Sequence, residues 1–101
     1  MASTTENKYQ AGLIKRLKKR FPDAVILKND PEYIQGIPDL LILNGTAWAM
    51  LECKRSEHAS HRPNQDYYVD LLGTMSYASF IYPENEERVM DDLEQALGHC
   101  G

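Results

Sequence analysis

The chain has 101 residues, of which 43% are hydrophobic and 26% are charged, and its formal net charge is −4. This length and composition are typical of one globular domain and leave little room for a second core. No apolar run approaches the roughly 20 residues of a membrane-spanning helix, and the first residues lack the pattern of a signal peptide. We therefore expect a single domain over residues 1–101 that works in the cytoplasm and does not bind a membrane.

The charge is unevenly distributed along the chain. Residues 1–62 contain ten Lys and Arg against seven Asp and Glu, whereas residues 63–101 contain one against eight. Because phosphate groups respond to local fields more than to total charge, an acidic protein of this kind can still bind nucleic acid. A basic cluster on a helix is equally expected on a merely solvated face. The basic side chains that we consider for DNA contact are Lys15, Lys19, Lys28, Arg55 and Arg62.

The first predicted element is a helix over residues 3–20. Ser3-Thr4-Thr5-Glu6 fits the capping-box pattern, and Phe21-Pro22 ends the helix. Advancing about 100° per residue places Glu6 within about 20° of the apolar stripe that faces the core. Glu6 therefore either caps the helix near the positive end of its dipole or reaches a functional site.

A strand over residues 24–28, a turn-rich loop over residues 29–36 and a hairpin follow. The apolar runs 40–43 and 46–51 flank Asn44-Gly45, which is the strongest short-range signal for a two-residue hairpin loop. In that register Leu43 pairs with Thr46, and Asp39 pairs with Met50.

Two acids and a lysine share one face of this hairpin. Because side chains alternate with period two, Asp39, Glu52 and Lys54 point the same way. Asp39 and Glu52 are then diagonal neighbours, about 7 to 8 Å apart at the backbone. Two adjacent carboxylates favour a hard divalent cation, and a nearby lysine can orient water or offset phosphate charge. The pattern predicts a metal-dependent phosphodiesterase site; the alternative is a surface hairpin with solvated acids and a simple Glu52–Lys54 pair.

Two cysteines do not make a disulfide framework. We expect Cys53 to be a buried apolar side chain on the face opposite to Glu52. A zinc site of Cys53, His58 and His61 would have only three ligands and lacks the usual paired spacing, so the sequence disfavours it.

The second half predicts a helix from Pro63 to about residue 72 with Gly73 as its terminator, a strand over residues 76–82 and a helix over residues 85–97 ended by Gly98. Gln65 lies on the inward stripe of the first of these helices. It either satisfies a buried backbone group or serves the site. The order α-β-β-β-α-β-α predicts an α/β domain with a mixed sheet flanked by helices.

With these residues and this element order, the chain resembles the PD-(D/E)XK nuclease superfamily, and within it the small stand-alone VRR-NUC nucleases of phages and bacteria. Pro38-Asp39 and Glu52-Cys53-Lys54 match the superfamily motif, and Gly36 fits the glycine that often precedes it. Gln65-Asp66-Tyr67-Tyr68 is similar to the Q-x-x-Y element of related junction-resolving enzymes. The resemblance implies a restriction-endonuclease-like αβββαβ core with a C-terminal helix.

The resemblance also implies roles for individual residues. Mg²⁺ or Mn²⁺ would be bound by Asp39, Glu52 and the carbonyl of Cys53, and Glu6, which matches the first-helix glutamate, would help through water or a second ion. Lys54 would position or activate the attacking water, and Gln65 would orient the lysine or the phosphate.

The function that the resemblance implies is a structure-selective DNA endonuclease acting on branched DNA such as Holliday junctions, in a bacterial or phage-infected cytoplasm. Because one domain carries one site, cutting two strands calls for a homodimer. A second possibility is a non-catalytic nucleic-acid-binding or assembly subunit that keeps the nuclease fold. Such a subunit would not need all five site residues, so their presence together argues against it. A third is a restriction-type enzyme, for which 101 residues leave little room to read bases.

Overall fold

The computed structural model describes residues 4–98, and the element order is the predicted one. The predicted cap residue Ser3 lies outside the described residues. The helices are α1 (Thr4–Arg20), α2 (Pro63–Met75) and α3 (Glu86–Leu97), and the strands are β1 (Val25–Lys28), β2 (Leu40–Asn44), β3 (Ala47–Cys53) and β4 (Tyr77–Ile81).

The four strands form one mixed sheet in the order β1-β2-β3-β4. The first three strands are antiparallel, and β4 runs parallel to β3. A parallel pair requires a long crossover, which α2 supplies. This arrangement confirms the predicted α/β class with a mixed sheet flanked by helices.

The hairpin register differs from the prediction by two residues. Leu43 pairs with Trp48 and Asn44 with Ala47, so the turn is Gly45-Thr46 and not Asn44-Gly45. The first turn position has a φ of 62°, which glycine adopts without strain. The side chain of Asn44 instead donates to the carbonyl of Leu97 at the end of α3 (3.0 Å). Because the shift is even, every side chain keeps its predicted face.

The buried core lies between one sheet face and helices α1 and α3. Cys53 is 2% exposed and belongs to this core, as predicted. Its side chain therefore lies on the face away from Glu52. The alternative of a zinc site with His58 and His61, which the sequence already disfavoured, is wrong. The core residues contributed by the sheet face are Leu40, Ile42, Ala49, Leu51, Cys53 and Ile81.

Helix α2 covers the other face over β3 and β4 and leaves β1 and β2 open. The open part exposes Val25 (53%), Leu27 (44%) and Leu43 (37%). Helix α2 also continues past Gly73 to Met75, because Gly73 lacks the positive φ of a helix-ending glycine. Gly98, by contrast, has a φ of 77° and ends α3 as predicted. Within residues 4–98 no helix has both the length and the apolar character that crossing a bilayer demands.

Candidate metal and nucleic-acid site

The two acids of the motif meet where β2 begins and β3 ends. Continuing the observed pairing by one residue places Asp39 directly opposite Glu52, closer than the predicted diagonal. Oδ2 of Asp39 accepts a hydrogen bond from the backbone N–H of Cys53 (2.9 Å). Because both backbone groups of a strand residue point to the same neighbouring strand, the Cys53 carbonyl is directed to the Asp39 side as well. Two carboxylates and a backbone carbonyl are thus neighbours at this end of the hairpin.

Burial makes this pair of carboxylates electrostatically unfavourable. Glu52 is 4% exposed, and burial, followed by the charge of Asp39, raises the pKa of Glu52 to about 8. Burial also raises the pKa of Asp39, although the hydrogen bond from Cys53 opposes the shift. A bound divalent cation removes this repulsion, and an all-oxygen donor set suits Mg²⁺ or Mn²⁺. The residues present therefore fit such an ion.

A buried hydrogen-bond network joins Glu52 to Lys54 through Gln65. Nε2 of Gln65 donates to Oε2 of Glu52 (3.0 Å), and Oε1 of Gln65 accepts from Nζ of Lys54 (2.8 Å). Nζ of Lys54 also donates to the carbonyl of Ser60 (3.0 Å) and lies 4.0 Å from Oε2 of Glu52. Lys54 is only 5% exposed. The interpretation as a solvated surface pair is therefore wrong.

Gln65 both satisfies a backbone group and contacts the site, so each of its two interpretations describes part of its surroundings. Besides contacting Glu52 and Lys54, its Oε1 accepts the backbone N–H of Arg62 at the start of α2 (3.1 Å). One side chain thus caps a helix and orients two site residues.

These residues line a cleft of about 540 Å³. Glu6, near the start of α1, lies in the same cleft, and its charge contributes to the raised pKa of both Asp39 and Glu52. Even so, no three His, Cys, Asp or Glu side chains in the described part of the chain converge closely enough to hold a metal together. Glu6 is therefore placed at the edge of the site, while Asp39 and Glu52 form its centre.

The cleft brings together two of the five basic residues that the sequence suggested. Arg55 and Arg62 line it, whereas Lys15, Lys19 and Lys28 are exposed and do not. Lys15 and Lys19 follow Glu6 on α1 by nine and thirteen residues, which turns them about 180° and 220° away from it. These two lysines consequently point away from the side of α1 that borders the cleft.

The sequence did not reveal the contact that closes one wall of the cleft. Gly36 has a φ of 89°, and a Cβ added there would lie 2.7 Å from the backbone carbon of Asn64 at the start of α2. The amide of Asn64 also donates to the carbonyl of Gln35 (3.3 Å). Gly36 within the motif was a sequence signal for close approach, but its distant partner Asn64 was not.

No protein-family model and no curated protein matches this chain. Two known structures do. One, described as a VRR_NUC domain, has 21% identity and a TM-score of 0.68, covering 92% of this chain and 97% of its own. The other, described as a VRR_NUC domain protein, has 19% identity and a TM-score of 0.68, covering 98% of this chain and 94% of its own. The three helices and the mixed sheet of this chain thus have the fold of these two VRR_NUC domain structures.

Proposed function

We propose that this protein is a metal-dependent endodeoxyribonuclease that hydrolyses phosphodiester bonds in branched DNA. The observation that carries the proposal is the half-buried Asp39 next to the buried Glu52, beside an almost fully buried Lys54 in one cleft. Burying two like charges side by side lowers stability, so an assembly module that binds no metal gains nothing from the arrangement. The VRR-NUC fold supports the same conclusion.

Asp39 and Glu52 would hold Mg²⁺ or Mn²⁺ together with the Cys53 carbonyl, and Glu6 would act on the site through water. When bound, such an ion would supply Lewis-acid stabilisation of the phosphate and would lower the pKa of a bound water. Two carboxylates and a carbonyl leave room for water and for a phosphate oxygen, which is the usual arrangement of Mg²⁺ in phosphoryl chemistry.

Lys54 is held ready for the reacting groups. Its ammonium has three N–H donors, of which two bind Gln65 and Ser60. The third can donate to the attacking water or to a phosphate oxygen. In the reaction the water oxygen forms a bond to phosphorus and the water proton passes to solvent, while the leaving oxygen takes the electron pair of the P–O bond that breaks and takes up a proton from solvent. Arg55 and Arg62, on the cleft wall, would bind flanking phosphates.

A homodimer would place two such sites on the two strands of a branched substrate. The open sheet face with Val25, Leu27 and Leu43 is a contiguous apolar surface that a second copy can cover. Light scattering should report twice the 11.5 kDa mass of the chain, and Leu27→Lys should shift the protein to the monomer. A wild-type protein that remains monomeric on and off DNA would refute this part of the proposal.

The proposal is tested by a cleavage panel. A four-way junction, a flap, a splayed arm and a linear duplex of equal length are incubated with Mg²⁺, Mn²⁺, Ca²⁺ or EDTA. We expect cutting of the junction in Mg²⁺ or Mn²⁺ and none in EDTA. Binding of every DNA without cutting in any metal would identify the protein as a non-catalytic binding subunit. Equal cutting of linear duplex and junction would refute the selectivity for branched DNA.

A further inference from the structure

A second, smaller pocket lies beside the cleft. Its volume is about 260 Å³. Ile37 lines both the pocket and the cleft, so the loop over residues 29–37 is the wall between them. Anything bound in the pocket is therefore next to whatever occupies the cleft. The lining residues are Asn29, Asp30, Tyr33, Ile34, Ile37 and Met50.

The pocket carries an unusually exposed aromatic ring. Tyr33 is 84% exposed, more than any other large hydrophobic side chain in residues 4–98. Its ring therefore offers an open stacking surface beside the aliphatic side chains of Ile34 and Ile37. Proteins that bind single-stranded nucleic acid stack unpaired bases on exposed aromatic rings of this kind.

The loop that carries Tyr33 is held in place. The backbone N–H of Tyr33 donates to the carbonyl of Asp30 (3.2 Å), and Oδ1 of Asp30 accepts from the N–H of Glu32 (2.9 Å). The side chain of Asn29 donates to the carbonyl of Pro38 (2.9 Å). Because the backbone is already ordered, a ligand that stacks on Tyr33 loses little free energy to loop ordering.

The charge of the pocket selects against phosphate. Asp30 is the charged residue of its lining, whereas the two arginines lie in the cleft. A phosphate is therefore favoured in the cleft and disfavoured in the pocket, while a neutral heterocycle is compatible with Tyr33 and Met50. An α-helix, about 10–12 Å across with its side chains, is too wide for this volume.

We propose that this pocket receives one unpaired nucleobase of the DNA, stacked on Tyr33, next to the phosphate held in the cleft. The inference rests on the proposed function and extends it. Branch points, flaps and single strands supply an unpaired base, whereas an intact duplex must first be unstacked. The pocket thus gives a physical reason for preferring branched DNA.

The test combines a change in the DNA with a change in the protein. Binding is measured in Ca²⁺ for a series of junctions in which one abasic residue replaces each nucleotide flanking the branch in turn. At one position the wild type should bind the abasic junction about 5- to 160-fold more weakly, the range expected for one lost stacking contact. Tyr33→Ala should bind the intact junction equally weakly and show no further loss with the abasic one. Tyr33→Phe should behave as wild type.

Tyr67→Ala is the matched control, because Tyr67 is another exposed tyrosine (59%) that lines neither cavity. The pocket is refuted if no abasic position weakens wild-type binding, or if Tyr33→Ala and the abasic residue weaken binding additively. It is also refuted if free deoxyadenosine monophosphate at micromolar concentration abolishes the discrimination, since the pocket would then serve free nucleotides. Cleavage of an intact junction by wild type in Mg²⁺, measured in parallel, separates these results from failure of the proposed nuclease activity.

Discussion

Lys54 is the residue that best separates the two interpretations of the hairpin, a metal-dependent phosphodiesterase site and a solvated Glu52–Lys54 pair. An exposed Glu–Lys pair contributes only about 0 to 1 kcal/mol and no chemistry. The structure instead buries the ammonium and fixes it between Gln65 and the carbonyl of Ser60. Such a group has lost rotational freedom and is aimed at the cleft, which is the condition for a positioned catalytic side chain.

We therefore expect Lys54→Ala to lower the single-turnover rate of junction cleavage by about 10²- to 10⁴-fold, the usual contribution of a positioned proton-transfer or water-orienting group. Lys18→Ala, which removes an exposed lysine outside the cleft, is the control and should cut at the wild-type rate. Unchanged turnover of Lys54→Ala with a slightly lower free energy of unfolding would restore the interpretation as a simple ion pair.

At the scale of the elements, the loop over residues 29–37 depends on a glycine for its place against α2. Gly36 and Gly45 both have positive φ, so alanine strains the backbone at either position by about 1 to 3 kcal/mol. Only at Gly36 does the added Cβ meet a neighbour, the backbone of Asn64 at 2.7 Å; at Gly45 nothing lies within 4 Å. The two glycines form a matched pair.

Gly36→Ala should therefore displace the loop and lower the cleavage rate by up to about 100-fold, because small misplacements of positioning groups have effects of this size. Gly45→Ala, which adds only backbone strain, should lower the free energy of unfolding by about 1 to 3 kcal/mol and leave cleavage near wild type. Denaturant unfolding and cleavage rates are measured for both variants. Equal activity of the two would show that the loop position does not matter to the site.

A polar link joins α1 to α3. Glu86 accepts hydrogen bonds from the hydroxyl of Tyr9 (2.7 Å) and from Nε of Arg16 (2.7 Å). Burial alone would raise the pKa of Glu86, but the hydrogen bonds from Arg16 and Tyr9 outweigh burial and lower the pKa below its ordinary value. The link thus stabilises the folded state only while Glu86 is ionised.

The sign of the pH effect follows from this lowered pKa. The contribution of Glu86 is fully present above the unfolded-state pKa of about 4.3 and is lost as pH falls through the lower folded-state value. Glu86→Gln should reduce the free energy of unfolding at pH 7 by about 1 to 2 kcal/mol and flatten its fall below pH 5. Glu87→Gln, at the exposed neighbouring position, is the control. The free energy of unfolding is measured in urea across pH 3–7. An equally steep fall below pH 5 for wild type and Glu86→Gln would show that Glu86 does not carry this pH dependence.

The sequence predicted the elements well because its signals were local. Apolar periodicity located all three helices and four strands, and period-two alternation placed Asp39, Glu52 and Lys54 on one face. The turn was predicted one residue too early, since Asn44 and Gly45 both favour turns, and one partner of Asn44 in the structure is Leu97, 53 residues away in the sequence. Because the register shift is two residues, each side chain keeps its predicted sheet face, and the three motif residues still share one face.

What the sequence could not supply were contacts between distant segments. The approach of Gly36 to Asn64 and the carbonyl of Ser60 at Lys54 depend on how loops pack across the sheet. Backbone groups leave no compositional trace, and so neither contact could be read from residue types.

At the scale of the whole molecule, the acidic C-terminal part partly neutralises the basic N-terminal part. Arg16 pairs with Glu86, and Arg20 pairs with Asp91 and Glu94 on α3. These arginines are thus engaged within the protein. The cationic groups that border the carboxylates in the cleft are Lys54, Arg55 and Arg62.

This distribution predicts which cations bind DNA. Arg62→Ala should weaken junction binding and reduce the slope of log K against log salt concentration by about 0.9, the value for one lost phosphate contact. Lys15→Ala, on the far side of α1, should change neither quantity measurably. Fluorescence anisotropy in Ca²⁺ at several salt concentrations provides the slopes. A larger effect of Lys15→Ala than of Arg62→Ala would place the DNA on α1 and away from the cleft.

The Asp39–Glu52 pair is proposed to perform metal-assisted hydrolysis of DNA. Asp39→Asn keeps the shape of the side chain and removes the charge that a cation needs, so its effect reports on chemistry more than on packing. The most direct measurement is the rate of four-way-junction cleavage in Mg²⁺ by wild type and by Asp39→Asn, with circular dichroism and junction affinity recorded for both. We expect cutting by the wild type and no detectable cutting by a variant that is folded and still binds the junction. A folded Asp39→Asn protein that cuts at the wild-type rate would refute metal-assisted hydrolysis at this pair.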